Sequence, residues 1–268
     1  DVVRRNVALV IAVLLSSPRL ASANGRFPQA TQLAVDPARP AVMVVRTTFG
    51  LLFSSDAGAT WGWVCEEQVG YGGAFDPAIA LTASGAVVAG LPDGLSRGSG
   101  ASESCGFERI AALEREWIVD VATDRFDPTH LVAMNAPVDV GLPGFQAFLA
   151  HSRDEGRTWS FAPSRLPEDF VPTTLDAAPS RPQRIYAAGV GAFKAFGTVV
   201  RSDDSGATWA ESSFDMRGAH TPWVAGVDVL DAERVWVRLD GDERDELLLS
   251  TNGGQRFDSV HLAPELPG

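Results

Sequence analysis

Four polar octets in the chain carry residue types that could bind a cation or take part in acid–base chemistry. The clearest reads SDDSGATW at 202–209, and related octets stand at 54–61, 152–159 and 250–257. Calcium loops of the EF-hand type need several acidic ligands at alternate positions, whereas these octets share a single Asp or Asn position. An Asp side chain can also accept hydrogen bonds from nearby backbone N–H groups, and glycine relieves a tight turn. The octets therefore predict structural turns, and the sequence predicts no metal site.

Two other stretches carry residue types that are used in catalysis or cation binding. Residues 94–98 read GLSRG, the pattern of a nucleophile elbow, which requires a strand before it and a helix after it. The surrounding residues predict strands only, so we expect no nucleophile there. The acidic run DGDERDE at 240–246 could hold a cation, but a solvated turn between two strands is the alternative that its position favours.

The octets recur at a nearly constant interval, which defines the repeating unit. A weaker copy, ASESCGF at 101–107, lies between the first two clear copies, so the aspartate-equivalent positions are 56, 102, 154, 204 and 252. Repeats of about 50 residues are typical of propellers. Short Val- and Leu-rich runs broken by Asp-Pro and Gly-rich turns precede the octets, as expected of β-strands. The sequence predicts an all-β propeller of five four-stranded blades, at about 28–68, 69–110, 111–166, 167–215 and 216–262.

The consensus S-x-D-x-G-x-T-W resembles the Asp-box, or BNR repeat, of a superfamily of β-propellers. Its members include sialidases, sortilin-like receptor ectodomains, xyloglucan-degrading glycoside hydrolases and photosystem II assembly-factor-like propellers. The resemblance covers about residues 28–262 and implies that each octet fastens the hairpin between the third and fourth strands of a blade. The structural residues it implies are Ser54, Asp56, Gly58, Thr60, Trp61, Ser152, Asp154, Gly156, Thr158, Trp159, Ser202, Asp204, Gly206, Thr208, Trp209, Ser250, Asn252, Gly254 and Phe257.

The first residues have the pattern of a secretory signal peptide. Arg4 and Arg5 precede an apolar run that is too short to span a bilayer, and Ala-Ser-Ala at 21–23 resembles a cleavage site. A buried N-terminal helix is the alternative. We expect residues 1–23 to be removed and the propeller domain, 24–268, to be secreted, periplasmic or held at the cell surface. The net charge of −12 disfavours nucleic acid and anionic membrane as partners, because both attract clustered Lys and Arg.

Each predicted blade contains four strands of its own, so no strand remains to close the ring between the first blade and the fifth. Propellers have about four to eight blades, and five could close. The lack of a closing strand nevertheless predicts part of a six- or seven-bladed propeller.

Propellers that resemble this chain usually bind ligands at the face opposite the Asp-boxes. The loops predicted at that face supply five candidate ligand-binding residues, whose rings and charges could contact a sugar or a peptide side chain. The alternative is that the aromatic residues pack between blades. The candidates are Arg46, Tyr71, Trp117, His220 and Trp223.

The sequence favours a non-catalytic propeller that binds or assembles a protein or glycan ligand, without a cofactor. A sialidase-like enzyme needs an arginine cluster and a tyrosine nucleophile, but Tyr71 and Tyr186 are the only tyrosines, and GRFP at 25–28 only faintly resembles the arginine motif of that family. No catalytic residue stands out. The alternative is a glycoside hydrolase, sialidase-like or xyloglucanase-like, that uses carboxylates at the channel mouth, because their separation depends on the folded structure.

The two cysteines, Cys65 and Cys105, are predicted to form a disulfide between neighbouring blades, because export makes oxidation plausible. Closing a loop of this length would stabilise the fold by about 3–4 kcal/mol in the chain-entropy account. Mass spectrometry of the exported, non-reduced protein should show a mass two hydrogens lower than that of the reduced protein. Finding two alkylatable thiols would contradict the prediction.

Overall fold

A computed structural model describes residues 27–99, 106–136, 146–191, 196–242 and 244–260 of the chain. These residues form 20 β-strands in five antiparallel sheets of four strands each. The sheets are the blades of a β-propeller, which confirms the predicted all-β fold and its five four-stranded blades. The described residues also contain one helical turn, α1 (Glu66–Val69), and one 3₁₀ turn, Ala111–Leu113.

Within every blade, the strands lie side by side in chain order. The first blade contains β1 (Ala30–Val35), β2 (Met43–Thr47), β3 (Gly50–Ser54) and β4 (Gly62–Cys65). The second contains β5 (Ile79–Leu81), β6 (Ala86–Leu91), β7 (Gly94–Ser99) and β8 (Phe107–Ile110). The third contains β9 (Trp117–Thr123), β10 (Leu131–Ala136), β11 (Phe148–Ser152) and β12 (Ser160–Arg165). The fourth contains β13 (Phe170–Ala177), β14 (Ile185–Gly191), β15 (Phe196–Ser202) and β16 (Ala210–Asp215), and the fifth contains β17 (Thr221–Val227), β18 (Val235–Asp240), β19 (Glu246–Ser250) and β20 (Asp258–Ser259).

The first strand of each blade lies at the centre of the propeller. These strands pack in series, β1 against β5, β5 against β9, β9 against β13 and β13 against β17. Within the described ranges, β17 does not pack against β1 in this way. No helix among the described residues is long and apolar enough to cross a membrane.

Apolar side chains are buried between the faces of successive blades. Four clusters hold the core, and each one joins residues of two neighbouring sheets. Between the second and third blades, for example, Val88 and Leu95 pack with Ile118, Val121 and other buried residues. Because strand side chains alternate between faces, the inner strands of a sheet packed on both sides read as nearly continuous apolar runs. The stability of each blade therefore depends on the blades packed against it.

The octets form turns between the third and fourth strands of their blades, and a repeated set of hydrogen bonds holds each turn. In the fourth blade, the Ser202 hydroxyl accepts a bond from the Gly206 N–H and donates one to Asp204, both at 2.8 Å. Asp204 also accepts bonds from the N–H and the hydroxyl of Thr208, at 2.8 and 2.7 Å. The octets at 54–61 and 152–159 repeat this set. The aspartate therefore serves as a turn fastener.

The hydrogen bonds of the turn favour the ionised aspartate. In the first octet, the Thr60 hydroxyl and N–H, with the Ser54 hydroxyl, lower the pKa of Asp56 to about 2. The carboxylate is consequently charged throughout the physiological pH range. In the fifth blade, the Asn252 side chain replaces the carboxylate, accepting bonds from Ser250 and from the Arg256 N–H.

The octet glycine approaches the preceding blade closely in the third, fourth and fifth blades. Gly156 has a left-handed backbone with φ of 81°, and a Cβ atom at this position would lie 2.6 Å from Val88 of the second blade. A side chain here would therefore face both backbone strain and a clash. The octet is thus a contact between blades as well as a turn within one.

A side chain on the third strand of one blade binds the octet of the next blade. In each case the acceptor is the backbone carbonyl of the fourth octet residue. Three such contacts are described: Arg97 Nε to Glu155 O at 2.8 Å, His151 Nε2 to Ser205 O at 3.1 Å, and Arg201 Nη1 to Gly253 O at 2.6 Å.

The aromatic residues that end the octets differ in burial. Trp159, Trp209 and Phe257 pack against the clusters between successive blades. Trp61, at the same octet position in the first blade, is 43% exposed. No described blade lies against the outer face of the first blade, so this ring has no sheet to pack against.

We expect Ser202→Ala to lower the free energy of unfolding by about 1–3 kcal/mol, because the substitution leaves the buried Gly206 N–H without its acceptor. Urea denaturation measures the change. Ser213→Ala, an exposed serine of β16 in the same blade, is the matched control and should stay within about 0.5 kcal/mol of the parent. Equal losses in the two variants would contradict the fastening role of the octet.

Candidate functional site

The first strands of the blades line a central cavity of about 1300 Å³. All five strands contribute to its wall, which combines apolar residues such as Val119 and Val121 with carboxylates, arginines and tryptophans. The first strand of each blade begins at one end of the cavity, and the four described octets lie at the other end. Backbone bonds between an octet and the loop after the first strand fix this arrangement, as between Glu155 N–H and Thr129 O at 2.9 Å.

Three of the predicted ligand-binding residues meet at the end of the cavity that lies opposite the octets. Trp117 begins β9, Trp223 lies near the start of β17 and Arg46 lies near the end of β2, and all three line the cavity. We call Arg46, Trp117 and Trp223, together with the neighbouring Arg238, the cavity rim. The structure therefore brings together three residues that are far apart in sequence.

The rim is held by contacts that orient its side chains. The Arg46 guanidinium donates to Thr31 Oγ1 and to the Pro77 carbonyl, both at 2.9 Å. The Arg238 guanidinium lies 5.9 Å from the centre of the Trp223 ring, a cation–π distance. Trp117 is 39% exposed, which leaves much of its ring open to a ligand.

The indole N–H of Trp223 is buried and has no hydrogen-bond partner among the described residues. Buried polar groups in native proteins nearly always have a partner, so an exception calls for an explanation. The surrounding side chains shield this N–H from solvent, so it does not face the open part of the cavity.

Tyr71 and His220 do not line the cavity. Tyr71 is buried in the cluster between the first and second blades, and its hydroxyl faces the Thr47 carbonyl at 3.4 Å. Its place in the structure is the inter-blade packing that the sequence left open as the alternative. His220 is exposed and its Nε2 lies 2.9 Å from Asp242 Oδ1, next to the turn between β18 and β19.

Two carboxylates in the cavity wall were not among the candidate residues predicted from the sequence. Asp120 lies in the middle of β9 and Asp176 lies near the end of β13. Asp120 accepts bonds from the Thr174 hydroxyl at 2.7 Å and from the Leu175 N–H at 2.8 Å, both on the next blade. The N–H of Val227, also on the following blade, similarly bonds Asp176. Each carboxylate thus links the first strands of two successive blades.

The surroundings of these carboxylates favour their protonated forms. Burial raises the pKa of Asp120 to about 6, although its hydrogen bonds and the Arg46 charge oppose the shift. Burial and the nearby Asp120 charge raise the pKa of Asp176 to about 7. Proton uptake near neutral pH is a property of groups in acid–base catalysis, and also of strained structural carboxylates.

A sequence signal for these two residues exists. Each stands inside an apolar strand, in WIVDVA at 117–122 and in TTLDAA at 173–178. A lone carboxylate in such a run must have a buried partner, because an unpaired buried charge is strongly unfavourable. Gln32 has the same linking role in the first blade, where its amide exchanges hydrogen bonds with the backbone of Ile79 at 2.9 and 3.0 Å.

The remaining sequence candidates carry no reactive group in the cavity. Ser96 of the GLSRG stretch is buried in β7 and donates to the Val69 carbonyl at 2.7 Å. The run 240–246 starts at the last residue of β18, Asp240, and ends at the first residue of β19, Glu246. Within the described ranges, no group of three or more His, Cys, Asp or Glu side chains could hold a metal ion. Cys65 makes no disulfide with a described residue, and Cys105 lies outside those residues, so their pairing stays a prediction.

Comparison with known proteins finds similar structures but no matching sequence family. No protein-family model matches the chain, and no curated protein matches it. The GH74 enzyme of Niastella koreensis has a TM-score of 0.60 and 18% identity, over 87% of this chain and 38% of that one. An ancestral GH74 enzyme has a TM-score of 0.62 and 14% identity, over 89% of this chain and 32% of that one. The chain thus spans about a third of the length of these enzymes.

A third similar structure is YCF48 bound to a D1 peptide. Its TM-score is 0.53 at 14% identity, over 91% of this chain and 71% of that one. These likenesses show a shared fold. They support a β-propeller and, at such low identity, carry no activity over to this chain.

We expect the stability of the protein to fall as pH rises from about 4 to about 7 through the contribution of Asp176. The folded pKa of about 7 exceeds the ordinary value of 3.8, so over this range the folded state binds more protons than the unfolded state. Asp176→Asn should remove this contribution. The free energy of unfolding of the variant should therefore rise relative to that of the parent as pH increases. Chemical denaturation across the pH range measures both curves.

His130 and His151 contribute in the opposite direction, because burial lowers their pKa values and their stabilisation is lost below about pH 6.5. Comparing Asp176→Asn with the parent cancels that contribution. Asp258→Asn, at a side chain that is 71% exposed, is the control and should parallel the parent. Parallel curves for Asp176→Asn as well would contradict the raised pKa.

Proposed function

We propose that this chain is an exported, non-catalytic β-propeller that binds a protein or glycan ligand at the cavity rim. One observation carries the proposal: Arg46, Trp117 and Trp223 come together at one mouth of a cavity of about 1300 Å³. Ligand sites of this kind are concave, largely apolar and fitted with a few orienting polar groups. The rim has that composition.

The rim offers three kinds of contact to a ligand. The exposed part of the Trp117 ring can stack on a sugar ring or a peptide side chain. Trp223 supplies a second aromatic ring, with the Arg238 guanidinium over it, and Arg46 supplies a guanidinium whose contacts to Thr31 and Pro77 fix its direction. Preorganised groups of this type lower the entropy cost of binding.

Two further observations agree with a binding role. YCF48, a structure of similar fold, is bound to a D1 peptide, so a propeller of this type can hold a peptide. The octets of this chain have the consensus and turn-fastening bonds that suit Asp-box propellers. We also propose that the chain belongs to that superfamily and that the N-terminal segment 1–23 directs its export.

Glycoside hydrolysis is the second candidate, and Asp120 and Asp176 are the observation that favours it. Both carboxylates lie in the cavity wall with raised pKa values, and GH74 enzymes share the fold. Against this role, each carboxylate is engaged by the backbone of the next blade. A general acid needs a proton that can reach the substrate, so these contacts favour the fastening role.

We expect Trp117→Ala to weaken ligand binding by about tenfold or more, because aromatic anchors at the centre of a site contribute most to affinity. Glycan and peptide arrays probed with the exported protein identify a ligand, and titration calorimetry then measures its affinity. Phe126→Ala is the control, since Phe126 is an exposed aromatic residue in the loop after β9, at the octet end. Equal affinity of Trp117→Ala and the parent for every ligand found would contradict a rim site.

A screen with chromogenic glycosides separates the two candidate functions. The binding proposal predicts no hydrolysis above that of a buffer blank. Hydrolysis that disappears in both Asp120→Asn and Asp176→Asn, with folding retained by circular dichroism, would replace the binding proposal with the glycosidase.

A further inference from the structure

Two histidines of the third blade stack on each other beside its junction with the fourth blade. His130 is the last residue before β10, and His151 directly precedes the serine of the octet at 152–159. Their rings are 14° from parallel, and His130 Nε2 lies 3.3 Å from His151 Nδ1. His151 Nε2 lies 3.1 Å from the Ser205 carbonyl of the fourth blade. The two rings therefore form a series of contacts that ends on the next blade.

These contacts determine which ring nitrogens carry hydrogen when both rings are neutral. A carbonyl only accepts, so His151 Nε2 must carry the hydrogen and His151 Nδ1 must accept. His130 Nε2 is then the donor to that Nδ1, which leaves His130 Nδ1 without hydrogen, 3.6 Å from Asp124 Oδ2. A proton added to His130 faces a carboxylate, whereas a proton added to His151 Nδ1 faces another N–H. Protonation of His151 therefore removes the hydrogen bond between the rings.

The surroundings of the pair favour the neutral rings. Burial is the largest influence, and it lowers the pKa of both histidines below the ordinary value of 6.5. Arg153 repels a proton from both rings, while Asp124 and Asp127, in the turn between β9 and β10, attract one to His130. From the fourth blade, the Ser205 carbonyl faces His151 and favours its protonated form. Because the net shift is downward, acidification favours a state in which the rings are exposed to water.

The fourth blade builds the same corner from groups that do not titrate near neutral pH. Arg184 precedes β14 and Arg201 precedes the octet serine, which are the positions of the two histidines in the third blade. Asp203 lies between them, with Oδ1 2.5 Å from Arg184 Nε and Oδ2 3.1 Å from Arg201 Nε. The third-blade residue at the position of Asp203 is Arg153. The fourth blade thus neutralises two permanent cations, whereas the third blade places a cation beside two rings that can become cations.

We propose that the His130–His151 pair is a pH-sensitive switch at the junction between the third and fourth blades. Near neutral pH both rings are neutral, and His151 holds the Ser205 carbonyl while His130 holds His151. When His151 takes up a proton from solvent, the two rings separate, the charged ring moves toward water, and the octet at 202–209 loses its contact with the third blade. The switch is independent of the ligand proposed for the cavity rim.

The next junction along the chain lacks this sensitivity. There the Arg201 guanidinium donates to the Gly253 carbonyl at 2.6 Å, and arginine stays charged throughout the physiological pH range. Acidification should therefore open one junction of the propeller before the other. The two octets that these junctions hold, 202–209 and 250–257, report on them separately.

Hydrogen exchange of the full chain between about pH 7.5 and about pH 5, corrected for the intrinsic exchange rate, tests the proposal. Below about pH 6.5, the protection of the octet at 202–209 should fall by up to about tenfold per pH unit, because opening takes up one proton. The protection of the octet at 250–257 should not follow this fall. Equal losses in the two octets, or full protection of 202–209 at the lowest pH, would overturn the proposal.

Two variants identify the groups responsible. His151→Gln keeps an N–H donor but cannot be protonated, so the protection of 202–209 should lose its dependence on pH in this range. Arg153→Asp gives the third-blade octet the carboxylate that the fourth blade has at this position, and should move the loss of protection to lower pH. His220→Gln, at a histidine whose side chain is 61% exposed, is the control and should follow the parent.

Each variant is compared with the parent, which cancels the contributions of Asp120 and Asp176 to the pH dependence. A pH profile of His151→Gln that matches that of the parent would contradict the role of His151. Arg153 is exposed, so Arg153→Asp keeps the test decisive even where His151→Gln does not fold. An unshifted profile in Arg153→Asp, with folding retained by circular dichroism, would also overturn the proposal.

Discussion

A sheet with two apolar faces cannot be stable alone, and this constraint organises the whole molecule. Each blade has only four short strands, and its core consists of side chains shared with the blade before it and the blade after it. Hydrophobic burial is therefore a property of pairs of blades, in the manner of other repeat proteins. The cavity exists because the first strands pack side by side around a common centre.

Polar contacts fix how each blade is positioned against the next one, which apolar burial alone does not determine. The described octets fasten one hairpin in each of four blades, and the side chains of Arg97, His151 and Arg201 bind the next octet at a fixed backbone atom. The weaker copy at 101–107 lies largely outside the described residues. At the centre, Asp120 and Gln32 bind the backbone of the next first strand. At the rim, the bonds of Arg46 to Thr31 and Pro77 orient its guanidinium in the same way.

The fold was predictable from the sequence because a repeated turn motif at regular spacing determines strand number and order. The rim was predictable in part: Trp117 begins β9 and Trp223 lies near the start of β17, and the starts of the first strands lie at the cavity mouth. Tyr71 shares this pattern but is buried, because α1 and the long connection after it turn the ring toward the first blade. Asp120 and Asp176 were missed, since their partners lie on another blade and become visible only in three dimensions.

The contact between a third strand and the next octet also has a consequence for how the chain can evolve. The acceptor is a main-chain oxygen, so the side chain of that octet residue takes no part, and it is Glu155, Ser205 or Gly253 in three blades. Because the donor binds a main-chain oxygen, the octet residue can be substituted while the contact between the two blades keeps its geometry. Sequences built from such joints can diverge widely within one architecture, in keeping with identities of 14–18% to the propellers of similar fold.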